Sequence, residues 1–323
     1  MDRRLHLISC AALVSLAAGC AYLARQATIV YMKVESAFSD EQVQVEIKRS
    51  FLEAYKNRVT IGATFTVDEA MEKALSKLLD GDLHFAGRAP EVALPLVGEI
   101  VNAGEEDTAV AMIQRAESTH VPIRVTGVWR LWPEHARHKQ QEQGEPLPAL
   151  ESWNPDHSFE IHPVTRLGGR NLLRTLHVVD GFRAGSAERT FGIYENVECA
   201  LTVTPKTVTL ITPTGLYNDV HFVMERTREP QVVVADGRFV TAAARDLEGK
   251  LLVERLRLVF VKGSAAERAV RGVAPGGRLH VYGIPRVNFS QLSKWARSAR
   301  GDSTTVQGKL PYEIIVIAVY TDD

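Results

Sequence analysis

Two short stretches, far apart in the chain, carry the residue types most able to do chemistry. The first reads Asp80-Gly81-Asp82-Leu83-His84-Phe85. The second reads Asn154-Pro155-Asp156-His157-Ser158-Phe159-Glu160-Ile161-His162-Pro163-Val164. In each, apolar residues alternate with acids and histidines, the pattern of a strand with one face in a core. Leu83 and Phe85 then point one way and Asp82 and His84 the other; Phe159 and Ile161 oppose Glu160 and His162 in the same manner. If the two strands lie in one sheet, four ionisable groups share a face, and Glu99 joins them from a strand expected over 93–101. Imidazoles and carboxylates suit zinc, manganese or iron, and such an ion can activate water. A metal-dependent hydrolase built on Asp82, His84, Glu160 and His162 is therefore one reading. The plainer one is a polar face turned to solvent, or His84 paired with Glu160 across neighbouring strands.

Other chemistry finds little footing. Cys10 and Cys20 lie in the apolar start of the chain, which leaves Cys199 alone in the body. One thiol forms no internal disulfide, and Glu198–Val203 reads as a strand in which Cys199 is a small buried residue. The chain has no C-x-x-C, no Gly-x-Ser-x-Gly and no strand–glycine loop–helix context for a nucleotide, so no cofactor is expected. His135 and His138 have a metal-like spacing but sit in a charged stretch that reads as a solvated loop, and His157 reads as a turn cap.

Composition narrows the partners. The 323 residues are 45% hydrophobic and 24% charged with a net charge of −1, which describes a globular chain with room for two or more domains. No polybasic run is present, and aromatics make up 7%, so nucleic acid is not an expected partner. The start says more. Arg3 and Arg4 precede an apolar stretch from Leu5 to Ala18, followed by Gly19 and Cys20. Small residues after such a stretch mark a secretory signal. A cysteine directly after Ala17-Ala18-Gly19 resembles the bacterial lipobox, with Ala17 standing where that pattern usually has leucine. The resemblance implies cleavage before Cys20, a lipid on its thiol, and a protein tethered to the membrane on the periplasmic face of the cell envelope. With Ala21 rather than aspartate after the cysteine, the outer membrane is favoured over the inner. An uncleaved anchor and an ordinary cleaved signal are the alternatives.

The remaining elements follow from periodicity. Ser39 with Gln42 and Thr66 with Glu69 read as capping boxes, which predicts helices over 39–57 and 66–79. Strands are expected over 82–87, 93–101, 120–132 and 159–167, with a helix over 105–117 and an exposed loop over 133–152. Further strands are expected near 202–211 and 219–224, and then over 232–235, 238–244, 251–261, 278–283 and 312–320, with a helix over 289–298. Asp219-Val220-His221-Phe222 echoes Asp82-Leu83-His84-Phe85, a hint that a β-unit is repeated.

Residues 80–165 also resemble a group of secreted bacterial proteins. The matching segments are Asp80-Gly81-Asp82-Leu83-His84, Gly98-Glu99-Ile100, Ile123-Arg124-Val125-Thr126-Gly127 and Glu160-Ile161-His162-Pro163-Val164. The resemblance implies a small β-barrel of OB type and an extracytoplasmic address, with no activity attached. The fold class expected is α+β and mostly β. A signal peptide (1–19) and tether (20–38) precede helices plus a first OB-like unit (39–167), a second β-rich unit (168–229) and a C-terminal β-unit with a helix (230–323). The function expected is non-catalytic binding of an envelope protein or polysaccharide. Asp82, His84, Glu99, Glu160 and His162 form the candidate face, and Trp129, Trp132 and Trp153 the aromatics of a groove. A scaffold that only holds an assembly together is a third reading.

Overall fold

The computed structural model describes residues 42–76, 79–137, 140–178, 182–299 and 303–320. The signal-like stretch, Cys20, the tether, Ser39 and His138 lie outside the described residues. In chain order the elements begin with β1 (Gln42–Lys48), α1 (Arg49–Tyr55), β2 (Thr60–Ala70), β3 (Leu83–Arg88), β4 (Leu96–Ile100), α2 (Asp107–Thr119), β5 (Ile123–Leu131), β6 (Gln140–Glu142), β7 (Phe159–Leu167) and β8 (Arg170–Asn171). Next come α3 (Ala187–Tyr194), β9 (Glu198–Val203), β10 (Thr207–Pro213), β11 (Val220–Arg226), β12 (Val232–Val234), β13 (Gly237–Arg245) and β14 (Leu251–Val261). The chain closes with α4 (Ala265–Arg271), β15 (Arg278–Val287), α5 (Phe289–Ser298), β16 (Thr304–Lys309) and β17 (Tyr312–Val319). Strand outweighs helix, 45% to 19%, so the protein is mostly β. Among the described residues no helix is long and apolar enough to cross a membrane.

The two helices expected near the start are not formed as read. Val43, Val45 and Ile47 are buried while Gln44 and Glu46 are partly exposed, a period of two that makes β1 a strand. Only Arg49–Tyr55 turns helical. Thr66 and Glu69 lie inside β2, where Ile61, Ala63, Phe65 and Val67 alternate inward and β-branched residues fit the pleat. The capping-box spacing there is incidental to a strand.

Two closed five-stranded barrels organise the rest. Around the first, the order is β2-β3-β4-β7-β5 and back to β2, with β4 and β7 parallel and every other pair antiparallel. Closure brings β5 hard against β7 at Gly127, where an added Cβ would meet the Pro163 carbonyl at 2.5 Å. Around the second, the order is β11-β13-β14-β17-β15 and back to β11, again with one parallel pair, β14 with β17. Counted along the chain, both barrels run 1-2-3-5-4-1, and each carries a helix between its third and fourth strands (α2 and α4). The sheet β16-β9-β10-β1-β6 draws its strands from the start of the described chain, the first barrel's long loop, the segment between the barrels and an insertion in the second. The strands expected within 168–229 thus divide: β9 and β10 join this mixed sheet, and β11 opens the second barrel.

Repetition is real, but the echo of Asp82–Phe85 in Asp219–Phe222 is out of phase. His84 lies on the second strand of its barrel and His221 on the first of its own. The equivalent positions are elsewhere. Arg130 on the fourth strand of the first barrel faces Glu160 on the fifth, and Arg286 faces Glu313 in the same way in the second. The barrels meet through these fourth strands. Arg130 Nε donates to the Pro285 carbonyl at 2.9 Å, while Arg286 Nη1 donates to the carbonyls of Trp129 (3.0 Å) and Val59 (3.2 Å). Beside them Val59 and Val128 pack with Val259, Ile284, Ile315 and Ile317 in a buried apolar cluster.

Candidate functional site

The inward halves of the site strands do what their alternation predicts. Leu83, Phe85, Ile100, Phe159 and Ile161 have no exposed surface and fill the first barrel. The outward halves come together as well. β3 sets His84 directly opposite Glu99 on β4, with His84 Nε2 3.5 Å from Glu99 Oε2. β7 presents His162, whose Nδ1 lies 2.8 Å from the same Glu99 oxygen and 3.6 Å from Glu160 Oε2. On its other side, His162 Nε2 lies 3.5 Å from Asp82 Oδ2. All five residues chosen from sequence therefore converge.

They do not face solvent. Asp82, Glu99, Glu160 and His162 are 5%, 2%, 1% and 4% exposed. Other parts of the chain cover this side of the barrel. The Asn102 backbone N–H bonds Asp82 Oδ1, the Asn102 amide bonds the carbonyls of Thr175 and His177, and the ring of Trp153 meets His84 edge-on. The pairing of His84 with Glu160 expected across strands is replaced by His84 with Glu99.

Several participants escaped the sequence reading. Arg130 is the largest of them. Its guanidinium bonds Glu160, Glu134 (3.2 Å) and Asn218 (2.7 Å) as well as Pro285, and it is wholly buried. Burial opposes its charge, but Glu160 and Glu134 together more than offset this and raise its pKa. His157 accompanies it. Nε2 of His157 lies 3.2 Å from Glu160 Oε1, and its ring stacks on His135. His135 thus packs against the network with 26% of its side chain still exposed; burial, then His157, pulls its pKa to about 3. The charges settle by environment. Burial would raise Glu160, yet Arg130 and the two histidines hold it well below the usual carboxylate range. Glu99 resists burial likewise through His162 and His84 and falls to about 2. Asp80 is driven up to about 7 by burial and by Asp82 beside it.

The aromatic groove is not formed as expected. Trp129 and Trp132 are buried, their indole N–H groups bonded to the carbonyls of Arg58 (2.8 Å) and Tyr217 (3.1 Å), while Trp153 alone is open, 37% exposed. Cys199 lies buried in β9, and burial pushes its thiol up to about 11, the opposite of an activated nucleophile. Among the described residues, a groove of about 500 Å³ opens on the second barrel. Phe239 and Thr241 of β13, Arg255 and Arg257 of β14, Glu229 and Pro230 before β12, Asn288, Gln291 and Lys294 at and on α5, and Asn57 are among the residues that line it.

Comparison with models of known protein families gives no match, and comparison with curated proteins gives none.

Glu134 generates a pH prediction. It lines a separate cavity of about 160 Å³ together with Arg183, Asn218 and Asp219. Burial lifts its pKa to about 8, assisted by Glu160 and Glu99 and opposed by Arg130; His135 Nε2 lies 3.6 Å away. A folded pKa above the unfolded one stabilises the fold at low pH, and that contribution is lost as pH rises through about 8. Scanning fluorimetry at fixed ionic strength should show a Tm slope between mildly acidic and alkaline pH that Glu134→Gln flattens. An identical slope in the variant would contradict the assignment.

Proposed function

We propose that this chain is a non-catalytic binding module of the bacterial cell envelope, held to the membrane by a lipid on Cys20, and that its two barrels are of the OB type. The observation that carries the proposal is the position of the groove. It lies over the second and third strands of the second barrel, between the connection from strand one to two (Glu229, Pro230) and that from four to five (Asn288, Gln291, Lys294). OB barrels take oligosaccharides and oligonucleotides on that face and between those loops. The step from face to function is analogy of fold, and the side chains supply the ligand class.

Those side chains favour a polysaccharide. The two arginine heads are already committed: Arg255 to both oxygens of Glu229 (2.8 and 2.9 Å), Arg257 to Glu313 (2.9 Å) and to the ring of Phe239. Lys294 alone of the groove's cations makes no ion pair among the described residues. A nearly neutral groove of amides, hydroxyls and one free ammonium suits the hydroxyl-rich surface of a glycan better than a phosphate backbone. Metal-dependent hydrolysis fits less well, because a catalytic ion needs an open coordination position and the Asp82–Glu99–His162 group is almost wholly covered.

Two experiments test this reading. Co-sedimentation of the full chain with purified peptidoglycan sacculi, backed by an array of soluble envelope glycans, should show saturable binding, weakened at least about tenfold by Gln291→Ala with Lys294→Ala, equivalent to about 1.4 kcal/mol. Binding to no glycan, or binding indifferent to the pair, would contradict the groove. Separately, the unaltered chain should incorporate labelled fatty acid in growing cells, and Cys20→Ala should not. Absence of label from the unaltered chain, or label retained in the variant, would contradict the lipid anchor.

A further inference from the structure

We infer that Asp82, Glu99 and His162, with His84 as fourth ligand, form a structural site for a divalent transition metal, zinc foremost, that staples the first barrel where its sheet closes. The inference does not rest on the groove. One ligand atom from each of Asp82, Glu99 and His162 lies within 4.8 Å of the others. Ligands bound to zinc at about 2.0–2.2 Å stand about 3.4 Å apart in a tetrahedron, so binding an ion would require the His162 ring to turn until one nitrogen faces both Asp82, now on its Nε2 side, and Glu99, on its Nδ1 side. His84 Nε2 is already 3.5 Å from Glu99 Oε2.

Two independent observations point into this space. The first is unfulfilled valence. His162 is almost wholly buried, and its Nδ1, 2.8 Å from Glu99 Oε2, has no partner that meets hydrogen-bond geometry. His84 Nε2 is likewise without a hydrogen bond. Two inward-turned ring nitrogens without bonds, both near one carboxylate oxygen, are what a pair of imidazole ligands looks like around an ion. The second is charge. Among the described residues, no lysine or arginine touches Asp82 or Glu99, and Arg130 bonds Glu160 and Glu134, so the ion-pair partners of the two carboxylates are His162 and His84. Two carboxylates taken out of water need compensation, which these imidazoles supply as cations and which one divalent ion would supply in place of their protons.

The surroundings are arranged as an outer shell. Asp82 Oδ1 is fixed by the Asn102 backbone N–H at 3.3 Å, which leaves Oδ2 turned toward His162. Glu160, oriented by Arg130 and His157, stands 3.6 Å behind His162 Nδ1. Such partners orient ligands and tune the ion. Location gives the site its purpose. The parallel pairing of β4 with β7 that closes the barrel ends at Gly98 opposite Ile161. Glu99 and His162 are the next residues on each strand, so the ion would hold the strands together where the backbone ladder stops. Four protein ligands and near-complete burial make a closed site, structural rather than hydrolytic.

The test uses the full chain extracted from membranes in mild detergent. After treatment with chelator, exchange into micromolar zinc chloride and desalting, elemental analysis should find about one zinc per chain. Zinc should raise Tm by about 5 °C or more over the chelated protein, and cobalt(II) in its place should give visible absorption bands of a tetrahedral nitrogen–oxygen site. Glu99→Gln and His162→Gln, checked for folding by circular dichroism, should each lose the ion and the bands. Should those variants fail to fold, stoichiometry and Tm of the unaltered chain decide alone. Less than about one-tenth of an equivalent of zinc with an unmoved Tm would overturn the site, as would full zinc retention in folded Glu99→Gln.

Discussion

Two arginines without contact with water hold the arrangement of this protein. Arg130 leaves the first barrel to bond the backbone of the second at Pro285; Arg286 leaves the second to bond the backbone of the first at Val59 and Trp129. Each is neutralised at home by the glutamate opposite it on the next strand, Glu160 or Glu313. Burial pulls Arg286 to about 10, with Glu313 opposing that fall, so it remains a cation at neutral pH. Its plane lies on the Trp129 ring, 3.6 Å from guanidinium carbon to ring centre. Separating the barrels would break the bonds to Pro285, Val59 and Trp129 together while each arginine kept its own glutamate; hydrogen bonds donated by a charged group contribute about 1.5–3 kcal/mol each, so the contact is hard to open by halves.

That constraint also decides which surfaces are free for partners. The outer face of the first barrel, where the acids and histidines sit, is covered by the second barrel's fourth strand and the loops through Asn102 and Trp153. Its polar groups serve internal cohesion. The second barrel turns its fourth strand inward to the contact and keeps its second and third strands open beside α5, where the groove lies. One duplicated architecture thus carries a buried polar frame in one copy and an open groove in the other.

Much of the strand pattern was legible in the sequence. β7 runs Phe159–Leu167 as its alternation implies, and the long strand ending at Val261 and the helix Phe289–Ser298 follow their periodicity. Where local signals competed, the strand period won: Thr66 and Glu69 have capping-box spacing, but Ile61, Ala63, Phe65 and Val67 alternate around them. The types and grouping of Asp82, His84, Glu99, Glu160 and His162 were legible too, because alternation alone puts them on one face. Their burial was not. It depends on Pro285 and Asn218, distant in sequence, which meet Arg130 only once both barrels are closed. Arg130 itself reads as one more outward residue between Trp129 and Leu131. The tryptophans misled for the related reason that Arg58 and Tyr217 carbonyls satisfy their N–H groups inside the core.

The claim that the barrels form one body is tested most directly by urea unfolding of the unaltered protein, followed in parallel by tryptophan fluorescence and far-ultraviolet circular dichroism. Of the four tryptophans, Trp129, Trp132 and Trp153 belong to the first barrel's unit and Trp295, on α5, to the second, so fluorescence weights the first barrel whereas the β signal sums over both. Joined by reciprocal buried arginines, the barrels should unfold together, and the two probes should trace one coincident transition. Separate midpoints, with most of the fluorescence change complete while half the β signal persists, would contradict it.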